Sequence, residues 1–493
     1  MRLQDLLARL PEAVVSGPAD VTVTDVVHDS RAVQPGALFV AIRGLKDDGN
    51  AYVDAALRKG AASVVSEQPA PPGTGTTWVQ VGDARRALAL AAAILHGEPA
   101  QQLELVGVTG TNGKTTTTYV IDAILREAGR TVGLLGTIEY RIGVQVIEAV
   151  RTTPESSDLQ RLFRQMVAAG CSHAVFEVSS HSLVLRRVHG CPFRVAVFTN
   201  LTRDHLDFHG DMEAYFVAKR ILFDELLRAD GHAIINAEDD WGRKLADSLT
   251  GRNVLTFGLR EPADILAVDL DLSLTGTRFR ARTPAGTIDI ASPLLGLFNV
   301  RNMLGAIGAA TALGLDAAAI RRALAAFTGV PGRLERVDAG QDFTVVVDYA
   351  HTDDGLKNLL ETVRALKPKR VITVFGCGGD RDRTKRPLMG AVASRLSDIA
   401  IVTSDNPRSE PPESILAEIQ RGMNGGRGAQ RHLIVDRREA ITRALDLAEP
   451  GDAVVIAGKG HETYQVIRDK QLPFDDRQVA RDLLARRAAK RSS

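Results

Sequence analysis

Cysteine is scarce in this chain of 493 residues. The three cysteines, Cys171, Cys191 and Cys377, are scattered along the sequence. They have neither the pattern of a disulfide framework nor the paired spacing of a zinc site. We therefore expect them to be reduced thiols in the core of a cytosolic protein.

An excess of either charge is also missing. The formal net charge is +1 at pH 7, so the composition gives no electrostatic argument for binding nucleic acid or an anionic membrane. No apolar run approaches the roughly 20 residues that a membrane-spanning helix needs. The first ten residues mix charged and apolar side chains and lack the apolar region of a secretory signal. We expect no nucleic acid partner, no membrane span and no secretion.

One stretch predicts a phosphate-binding unit. The apolar run before Thr109 is typical of a short buried strand, and Lys114 opens a helical segment that continues to about Ala128. Between them lies a tight glycine-containing loop, although a standard Walker A loop would have glycine where this chain has Val108. Backbone N–H groups, the helix N-terminus and the lysine would hold phosphate oxygens, and the hydroxyl of Thr115 is placed for Mg²⁺. The residues of this cradle are Gly110, Thr111, Asn112, Gly113, Lys114, Thr115 and Thr116.

The order of predicted elements favours an α/β protein with three domains. Linker-like segments at 97–100 and 331–333 divide the chain into predicted domains at 1–98, 99–330 and 331–493. Alternating strand and helix patterns in the second domain predict a mostly parallel sheet covered by helices. We expect a smaller N-terminal α/β domain, a central phosphate-loop domain and a C-terminal Rossmann-like domain.

Periodicity also predicts some individual elements. Alternation predicts a strand over Val21–Val27, and helical spacing predicts a helix over Met212–Arg228. From Val254 to Ile290 the pattern favours antiparallel strands joined by glycine turns.

Charged and histidine side chains follow strands in the central domain. Glu177 ends an apolar run and is placed to orient Mg²⁺ together with Thr115, although a solvated carboxylate is the alternative. His181 and His205 lie in loops after strands, and the dense polar surroundings favour a functional role for His205 alone. The pattern around Lys219 is that of a solvated lysine on a mixed helical face.

The strands of the third domain end in polar or glycine-rich loops. Because ligands bind beyond the carboxyl ends of parallel strands, these loops predict one composite site. Arginines there can grip a carboxylate with two hydrogen bonds, and surface salt bridges are the alternative. The four loops are 348–351, 376–383, 405–408 and 458–462.

Taken together and in order, these motifs resemble the Mur ligase family. The resemblance covers the whole chain and is strongest to the members that add the third residue of the peptidoglycan stem peptide. The motifs are Thr109-Gly-Thr-Asn-Gly-Lys-Thr-Thr116, Thr152-Thr-Pro154, Glu177-Val-Ser-Ser-His181, Thr199-Asn-Leu-Thr-Arg-Asp-His-Leu-Asp207, Asp348-Tyr-Ala-His351, Gly376-Cys-Gly-Gly-Asp-Arg381 and Asp405-Asn-Pro-Arg408.

The resemblance implies roles for particular residues. ATP phosphates would meet the phosphate loop, and the nucleoside would contact Asn299, Arg333 and Asp348. Mg²⁺ would be served by Thr115, Glu177 and His205. The catalytic set would be Lys114, Glu177, His205 and Lys219, with Lys219 carrying a carbamate as N6-carboxylysine.

The resemblance also implies two substrate sites. Ser30 would contact the uridine end of UDP-MurNAc-L-Ala-D-Glu, and the MurNAc-dipeptide would contact Thr152, Thr153, Ser179 and Arg187. The pocket for the incoming amino acid would be formed by Arg381, Asp405, Asn406, Pro407, Arg408, Gly458 and Glu462.

The implied reaction is ATP-dependent ligation. ATP would phosphorylate the γ-carboxylate of D-Glu, and an incoming amine would displace phosphate from the acyl phosphate. Arg408 could pair with the distal carboxylate of meso-diaminopimelate and Glu462 with its ammonium, which favours that substrate over lysine or ornithine. A sister ligase adding D-Glu, D-Ala-D-Ala or folate glutamates is an alternative, and an ATPase that does not ligate is the least favoured. We expect a cytoplasmic monomer.

Overall fold

The computed structural model describes residues 1–44, 47–423 and 429–492. The chain divides into two compact units. The first consists of Met1–Val268, Arg280–Asp289 and Arg301–Leu324, and the second of Asp269–Phe279, Ile290–Val300 and Ala325–Ser493. The predicted α/β class with mostly parallel sheets is confirmed, while the domain boundaries at 98 and 330 stay predictions. No helix of the described residues is long and apolar enough to cross a membrane.

The first unit begins with a five-stranded sheet in the order β1-β5-β4-β3-β2. Neighbours from β5 to β2 are parallel, and β1 runs antiparallel to β5. Its strands are β1 (Val14–Ser16), β2 (Asp25–Val27), β3 (Ala37–Ala41), β4 (Ser63–Ser66) and β5 (Thr77–Gln80). Its helices are α1 (Leu3–Leu7), α2 (Val53–Arg58) and α3 (Ala84–Leu95), with 3₁₀ turns at Gly49–Tyr52 and Pro99–Gln102.

The predicted strand Val21–Val27 is wrong in its first half. Only Asp25–Val27 forms a strand. The Val21 carbonyl instead accepts a hydrogen bond from the Leu3 N–H, and the Val23 N–H donates to the Met1 carbonyl. The alternating pattern there reflects packing against the N-terminal segment rather than pairing within the sheet.

A second sheet contains eleven strands in the order β16-β15-β14-β13-β12-β11-β6-β10-β7-β8-β9. The strands are β6 (Glu104–Thr109), β7 (Val132–Leu135), β8 (Glu139–Ile142), β9 (Gln145–Glu148), β10 (His173–Glu177), β11 (Phe193–Phe198), β12 (Leu227–Asn236), β13 (Asn253–Gly258), β14 (Ile265–Ser273), β15 (Gly276–Thr283) and β16 (Gly286–Ser292). The helices are α4 (Lys114–Glu127), α5 (Ser156–Ala168), α6 (Ser180–Val184), α7 (Leu206–His209), α8 (Met212–Ile221), α9 (Asp240–Ser248), α10 (Leu297–Ala312) and α11 (Ala317–Ala326).

Two predictions for this region are wrong in detail. The helix predicted over Met212–Arg228 ends at Ile221, and one π-helical turn follows before β12 begins. Leu227 pairs with Phe193 of β11, so the chain is part of the sheet from this residue onward. The prediction of antiparallel strands from Val254 is also wrong at its start, because β13 is parallel to both β12 and β14. The crossover through α9 returns the chain to the same edge of the sheet.

The position of β6 in this sheet organises the first unit. β6 lies between β10 and β11 and is parallel to both. The loops that follow Thr109, Glu177 and Phe198 therefore start from the same edge of the sheet. α4, which runs back from this edge, buries Val120, Ile124 and other apolar side chains. The phosphate loop is thus placed at the carboxyl edge of the sheet.

The second unit contains a six-stranded sheet in the order β17-β18-β22-β19-β20-β21, parallel except for β17. Its strands are β17 (Glu335–Arg336), β18 (Thr344–Asp348), β19 (Val371–Phe375), β20 (Ile399–Val402), β21 (Gln430–Leu433) and β22 (Ala453–Ala457), and a hairpin of β23 (Tyr464–Ile467) and β24 (Lys470–Pro473) follows. Its helices are α12 (Asp353–Ala365), α13 (Lys385–Leu396), α14 (Pro412–Gly422), α15 (Arg437–Leu447) and α16 (Asp476–Ser492).

A buried ion pair secures the carboxyl edge of this sheet. Arg437 and Asp476 are both fully buried and pair at 2.6 Å. The same guanidinium donates to the carbonyls of Ala457, at the end of β22, and Ser404, after β20. The loops that follow β20 and β22 are therefore both hydrogen-bonded to the Arg437 side chain.

Candidate active site

The loop after β6 is fixed by the loop after β11. The Thr111 N–H donates to the Asn200 carbonyl and the Asn112 N–H donates to the Asn200 side chain, both at 2.9 Å. The Thr199 hydroxyl donates to the Asn112 carbonyl at 2.6 Å. Because the N–H groups of Thr111 and Asn112 are used within the protein, the first N–H groups of α4, from Lys114 onward, are the better donors for phosphate oxygens.

Two lysines meet at one carbonyl of this loop. The Nζ atoms of Lys114 and Lys219 donate to the Gly110 carbonyl at 3.0 and 2.9 Å. Gly110 has a φ of +147°, and a Cβ atom at this position would overlap the hydroxyl of Thr199. The predicted strand, loop and helix are therefore present, with two lysine side chains beside the loop.

Replacing Gly110 should weaken nucleotide binding. Gly110→Ala places a methyl group against the Thr199 hydroxyl, and overpacking of this size costs about 1–3 kcal/mol. We expect ATP affinity, measured by calorimetry, to fall by about tenfold or more. The matched control is Gly129→Ala, at a φ of +76° with open space around the position. Equal affinities for ATP in both variants would show that the tight approach at Gly110 is not needed.

Lys219 is buried, in contrast to the solvated lysine that its helical pattern suggests. Only 1% of the residue is exposed, and its Nζ lies 4.6 Å from the centre of the Tyr215 ring. Burial, and after it the charge of Lys114, lower the pKa of Lys219 well below its usual value. A neutral amine is the form that reacts with CO₂, so this environment favours a carbamate.

The same burial makes a stability prediction. In CO₂-depleted buffer, Lys219→Met should raise the free energy of unfolding by about 1–4 kcal/mol, because burying a cation without a paired anion destabilises the fold. The same variant should lose turnover. The pKa of unmodified Lys219 is lower in the folded protein than in the unfolded chain. Below the pKa of the unfolded chain, this lysine therefore lowers the free energy of unfolding, and the loss grows as the pH falls toward the pKa of the folded protein. The gain in melting temperature should therefore be larger at pH 6 than at pH 10. A variant that melts lower than the wild type at pH 6 would contradict this prediction.

Glu177 lies where the sequence predicts, at the end of β10, and is 1% exposed. Its carboxylate accepts hydrogen bonds from the backbone N–H and the hydroxyl of Thr137, at 2.8 and 3.2 Å. A Cβ atom at Gly136 would lie 2.7 Å from the same carboxylate. Sequence reasoning did not find Thr137, because an isolated threonine after a strand has no distinctive pattern.

The oxygen atoms of this region suit a magnesium ion. The Thr115 side chain lies in the first turn of α4, and the carboxylate of Glu177 adds the kind of oxygen ligand that Mg²⁺ prefers. The imidazole of His205 is a less typical Mg²⁺ ligand. Within the described ranges, no group of three or more His, Cys, Asp or Glu side chains is arranged to hold a metal. An ion here would therefore need phosphate oxygens or water as further ligands.

His205 lies within a cluster of aromatic side chains. Its φ of +52° places it in the left-handed region, and its ring is 4.9 Å from that of His181 and 6.2 Å from that of Tyr215. His209 stacks on Tyr215 at 4.8 Å and shares a hydrogen bond with the Ser180 hydroxyl. Burial lowers the pKa values of His205 and His209, the latter to about 4. Neutral imidazoles therefore pack against Tyr215, the aromatic ring that contacts Lys219.

Four residues predicted to hold the dipeptide lie together. The Thr153 hydroxyl donates to the Glu177 carbonyl at 2.8 Å and accepts from the Ser179 N–H at 3.2 Å. Arg187 donates to the Thr153 carbonyl at 3.2 Å. The Thr152 hydroxyl lies 3.1 Å from that of Thr137, which also binds Glu177. This group therefore adjoins the carboxyl end of β10.

Ser30, the residue predicted to contact uridine, lies in the turn after β2 of the five-stranded sheet. The neighbouring Asp29 binds the Arg31 guanidinium, whose hydrogen bonds lower the pKa of Asp29 to about 2. Ser30 thus sits at the carboxyl edge of this sheet, where ligands of parallel sheets bind.

In the second unit, the side chain of Asn406 joins two of the predicted loops, 405–408 and 458–462, to β23. Its Nδ2 donates to Glu462 at 2.9 Å, and its Oδ1 accepts from the Val466 N–H at 2.9 Å and from Lys459 at 3.1 Å. Lys459 is fully buried and also donates to Glu462 at 3.0 Å. One oxygen of Glu462 is thereby occupied, which leaves the other for a ligand cation. Lys459 has no role in the sequence analysis, since only its burial distinguishes it.

Arg408 is held in an unusual backbone conformation. Its φ is +51°, its N–H donates to the Val466 carbonyl, and its guanidinium donates to the Gly379 carbonyl at 2.8 Å. Pro407 precedes it, and a Cβ atom at Gly379 would overlap the Pro407 carbonyl. Arg381 is exposed and donates to the Asp380 carbonyl at 3.2 Å. The Arg408 guanidinium is therefore fixed within the predicted pocket, whereas Arg381 lies exposed at the edge of that pocket.

Asp405 and Gly458 approach each other closely. A Cβ atom at Gly458, which has a φ of +118°, would lie 2.8 Å from Oδ2 of Asp405. This Oδ2 atom is buried without a hydrogen-bond partner among the described residues. The Gly458 N–H also donates to the Asp348 carbonyl, and the Gly379 N–H donates to the Asn406 carbonyl. The four loops predicted to form one composite site therefore meet at the carboxyl edge of the second-unit sheet.

Two of the three residues predicted to bind the nucleoside lie together in this unit. Arg333 stacks over Tyr349, with its guanidinium carbon 4.7 Å from the ring centre. Asp348 accepts hydrogen bonds from the N–H groups of Leu334 and Ala350, at 2.6 and 2.8 Å, and burial raises its pKa. Asn299 is buried in α10, where it donates to the Leu295 carbonyl at 2.9 Å.

Three family models match most of the chain. Residues 22–97 match the model of the Mur ligase family, catalytic domain, residues 108–310 the Mur ligase middle domain, and residues 332–460 the Mur ligase, glutamate ligase domain. The chain belongs to the Mur ligase family.

Individual relatives are similar over nearly their whole length. The chain is 48% identical over 492 residues to UDP-N-acetylmuramoyl-L-alanyl-D-glutamate--2,6-diaminopimelate ligase of Solibacter usitatus, covering 98% of each chain. It is also 48% identical to the enzyme of that name in Geobacillus thermodenitrificans, covering 98% of this chain and 99% of the relative. A solved structure with the same name matches with a TM-score of 0.70 and 35% identity, over 94% of this chain and 95% of that one. The family resemblance found in the sequence is confirmed.

Proposed function

We propose that this protein is an ATP-dependent ligase that joins meso-diaminopimelate to the D-Glu γ-carboxylate of UDP-MurNAc-L-Ala-D-Glu, a step of peptidoglycan precursor synthesis. The observation that carries the proposal is the full-length match to relatives named for this reaction. The phosphate loop of the first unit and the arginine- and glutamate-containing pocket of the second supply the required chemistry. Action in the cytoplasm as a monomer belongs to the same proposal.

The residues of the first unit would position and neutralise the reacting phosphate. The start of α4 offers N–H groups, and Lys114 offers a positive charge already held beside the loop by Gly110 and Thr111. When bound, Mg²⁺ neutralises the charge of the phosphates. Positioning of the γ-carboxylate against ATP supplies most of the rate in such a transfer.

Lys219 would act as a fixed anion once carbamylated. As an unmodified amine it donates to the Gly110 carbonyl next to Lys114, so two lysine nitrogens share one acceptor. A carbamate adds a negative charge at this position, which attracts the ammonium group of Lys114. Tyr215 packs against the Lys219 side chain, and the histidines around Tyr215 are neutral, which leaves the added charge to be balanced by Lys114.

The pocket of the second unit favours an amino acid with a zwitterionic end. Arg408 can bind a distal carboxylate with two hydrogen bonds, and the oxygen of Glu462 not used by Lys459 and Asn406 can accept an ammonium. With lysine or ornithine, Arg408 would face an ammonium group without a carboxylate. This difference supports diaminopimelate over the two alternatives.

The test is phosphate release with ATP, Mg²⁺ and UDP-MurNAc-L-Ala-D-Glu, adding meso-diaminopimelate, L-lysine or L-ornithine in separate reactions and checking the product mass. We expect turnover with diaminopimelate and at most weak turnover with the others. Turnover with lysine or ornithine alone would keep the ligase and overturn the pocket assignment. Phosphate release that needs no amino acid would instead indicate an ATPase that does not ligate.

A further inference from the structure

Three arginines of the first unit surround one carboxylate. Arg151 and Arg187 pair with Glu155 at 3.0 and 2.8 Å, and Arg85 approaches its other oxygen at 3.6 Å. Glu155 is buried, and Arg85 and Arg187 are mostly buried as well. We call these four residues the arginine cluster.

The arginine cluster has an uncompensated positive charge. Three guanidinium groups share one carboxylate, and within the described part of the chain none of them has another ion-pair partner. The Nη1 atom of Arg85 is buried and has no hydrogen-bond partner among the described residues. Burial lowers the pKa of Arg187. The charge of Glu155 opposes this effect, while the charges of Arg151 and Arg85 lower the pKa further. A half-buried group of cations of this kind would be stabilised by a bound anion.

The arginine cluster joins the two regions predicted to hold the nucleotide sugar. Arg85 lies in the first turn of α3, just after β5, and its other terminal nitrogen donates to the Arg43 carbonyl beyond β3. It therefore belongs to the carboxyl edge of the five-stranded sheet, where Ser30 also lies. Glu155 comes two residues after Thr153 and directly before α5. An anion bound by Arg85 would thus lie between the uridine end and the dipeptide end of an extended ligand.

We propose that Arg85 is a specificity-determining residue that binds, together with Arg187, an anionic oxygen group of the nucleotide-sugar substrate, and that Glu155 is the positioning residue that holds both guanidinium groups. The inference rests on the proposed function, which supplies the ligand. Its diphosphate and its peptide carboxylate offer the same chemistry, an oxyanion that accepts paired hydrogen bonds from arginine.

Glu155 explains how the cations are kept ready before the ligand arrives. By accepting a hydrogen bond from Arg151 and forming ion pairs with Arg187 and Arg85, it offsets the mutual repulsion of the three guanidinium groups. It cannot neutralise all three, so the remaining charge favours an incoming anion. Such a prearranged site costs less to order on binding than flexible surface arginines do.

The experiment measures binding to Arg85→Met by calorimetry, with the nucleotide sugar UDP-MurNAc-L-Ala-D-Glu, with UDP and with ADP. The matched control is Arg86→Met, the next residue of α3, whose partly exposed guanidinium pairs with Glu12 at 2.7 Å. We expect the nucleotide sugar to bind Arg85→Met about tenfold more weakly or worse. ADP should bind equally to both variants and the wild type, since the phosphate loop is unchanged.

The two sources of the anion are distinguished by the ligands. Weaker binding of both UDP and the nucleotide sugar assigns Arg85 to the diphosphate, and weaker binding of the nucleotide sugar alone assigns it to the carboxylate. Both results support the proposal. Unchanged binding of the nucleotide sugar, even with a lowered melting temperature, would overturn it and leave Arg85 a structural residue.

A second variant covers the case in which Arg85→Met does not fold. Arg85→Lys keeps the charge but not the paired hydrogen bonds, so we expect it to fold and to bind the nucleotide sugar several-fold more weakly than the wild type. Wild-type affinity in Arg85→Lys would overturn the proposal. If the wild type binds neither UDP nor the nucleotide sugar, the proposed function itself fails and this inference fails with it, a result separate from a failure at Arg85 alone.

Discussion

Lys114→Met should reduce turnover by about 10²–10³-fold under saturating substrates. The lysine side chain is fixed beside the phosphate loop by the carbonyls of Gly110 and Thr111. Its ammonium group would lie next to the phosphate oxygens that gain negative charge during phosphoryl transfer. Removing one preorganised charge of this kind typically lowers kcat by about 10²–10³-fold. The measurement is kcat from coupled phosphate release with all three substrates present.

The control for this variant is Lys244→Met. Lys244 lies on α9, is about half exposed and pairs with Glu213 at 2.7 Å, so its removal tests loss of a lysine from the same unit without touching the loop. We expect near wild-type kcat for it. If Lys114→Met retained more than about a tenth of wild-type kcat while binding ATP normally, the phosphate loop would not be the centre of catalysis.

Arg408→Met should lower kcat/KM for diaminopimelate by about 10²-fold. The guanidinium is held at a fixed place by the Gly379 carbonyl, and removing a cation that pairs with a substrate carboxylate costs a few kcal/mol. The small activity with lysine, which has no distal carboxylate, should stay unchanged or rise. The ratio of the two kcat/KM values therefore measures the role of Arg408 directly.

A matched control for Arg408 is Arg383→Met. Arg383 lies in a neighbouring loop, is mostly exposed and pairs with Glu418. We expect this variant to keep the wild-type preference for diaminopimelate. A parallel loss of both substrates in Arg408→Met would indicate a folding defect of the loop, and an unchanged ratio would remove Arg408 from substrate recognition.

Sequence reasoning located the parts of the site that depend on sheet topology. Glu177 was predicted at a strand end and lies there, and the phosphate loop occupies the predicted place between β6 and α4. The loops beginning near Asp348 and Asp405 start from the same sheet edge because β18 and β20 run parallel in one sheet, with β22 and β19 between them. In each case alternation of strands and helices was sufficient, since it determines which strand ends share an edge.

Features that depend on packing in three dimensions could not be predicted in this way. Lys219 has the sequence surroundings of an exposed lysine, and only the approach of Gly110 and Tyr215 buries it. Lys459 and Thr137 likewise gain their roles from partners far away in the sequence. The end of α8 was missed for a related reason, because pairing with β11 overrides a helical pattern.

The central claim, ATP-driven ligation through an acyl phosphate, is tested most directly by oxygen transfer. UDP-MurNAc-L-Ala-D-Glu labelled with ¹⁸O in both oxygens of the γ-carboxylate is incubated with ATP, Mg²⁺, diaminopimelate and the wild-type protein, and the released phosphate is analysed by mass spectrometry. Our account predicts one ¹⁸O atom in each phosphate formed and one retained in the new amide. Unlabelled phosphate, formed while the ligated product accumulates, would contradict it.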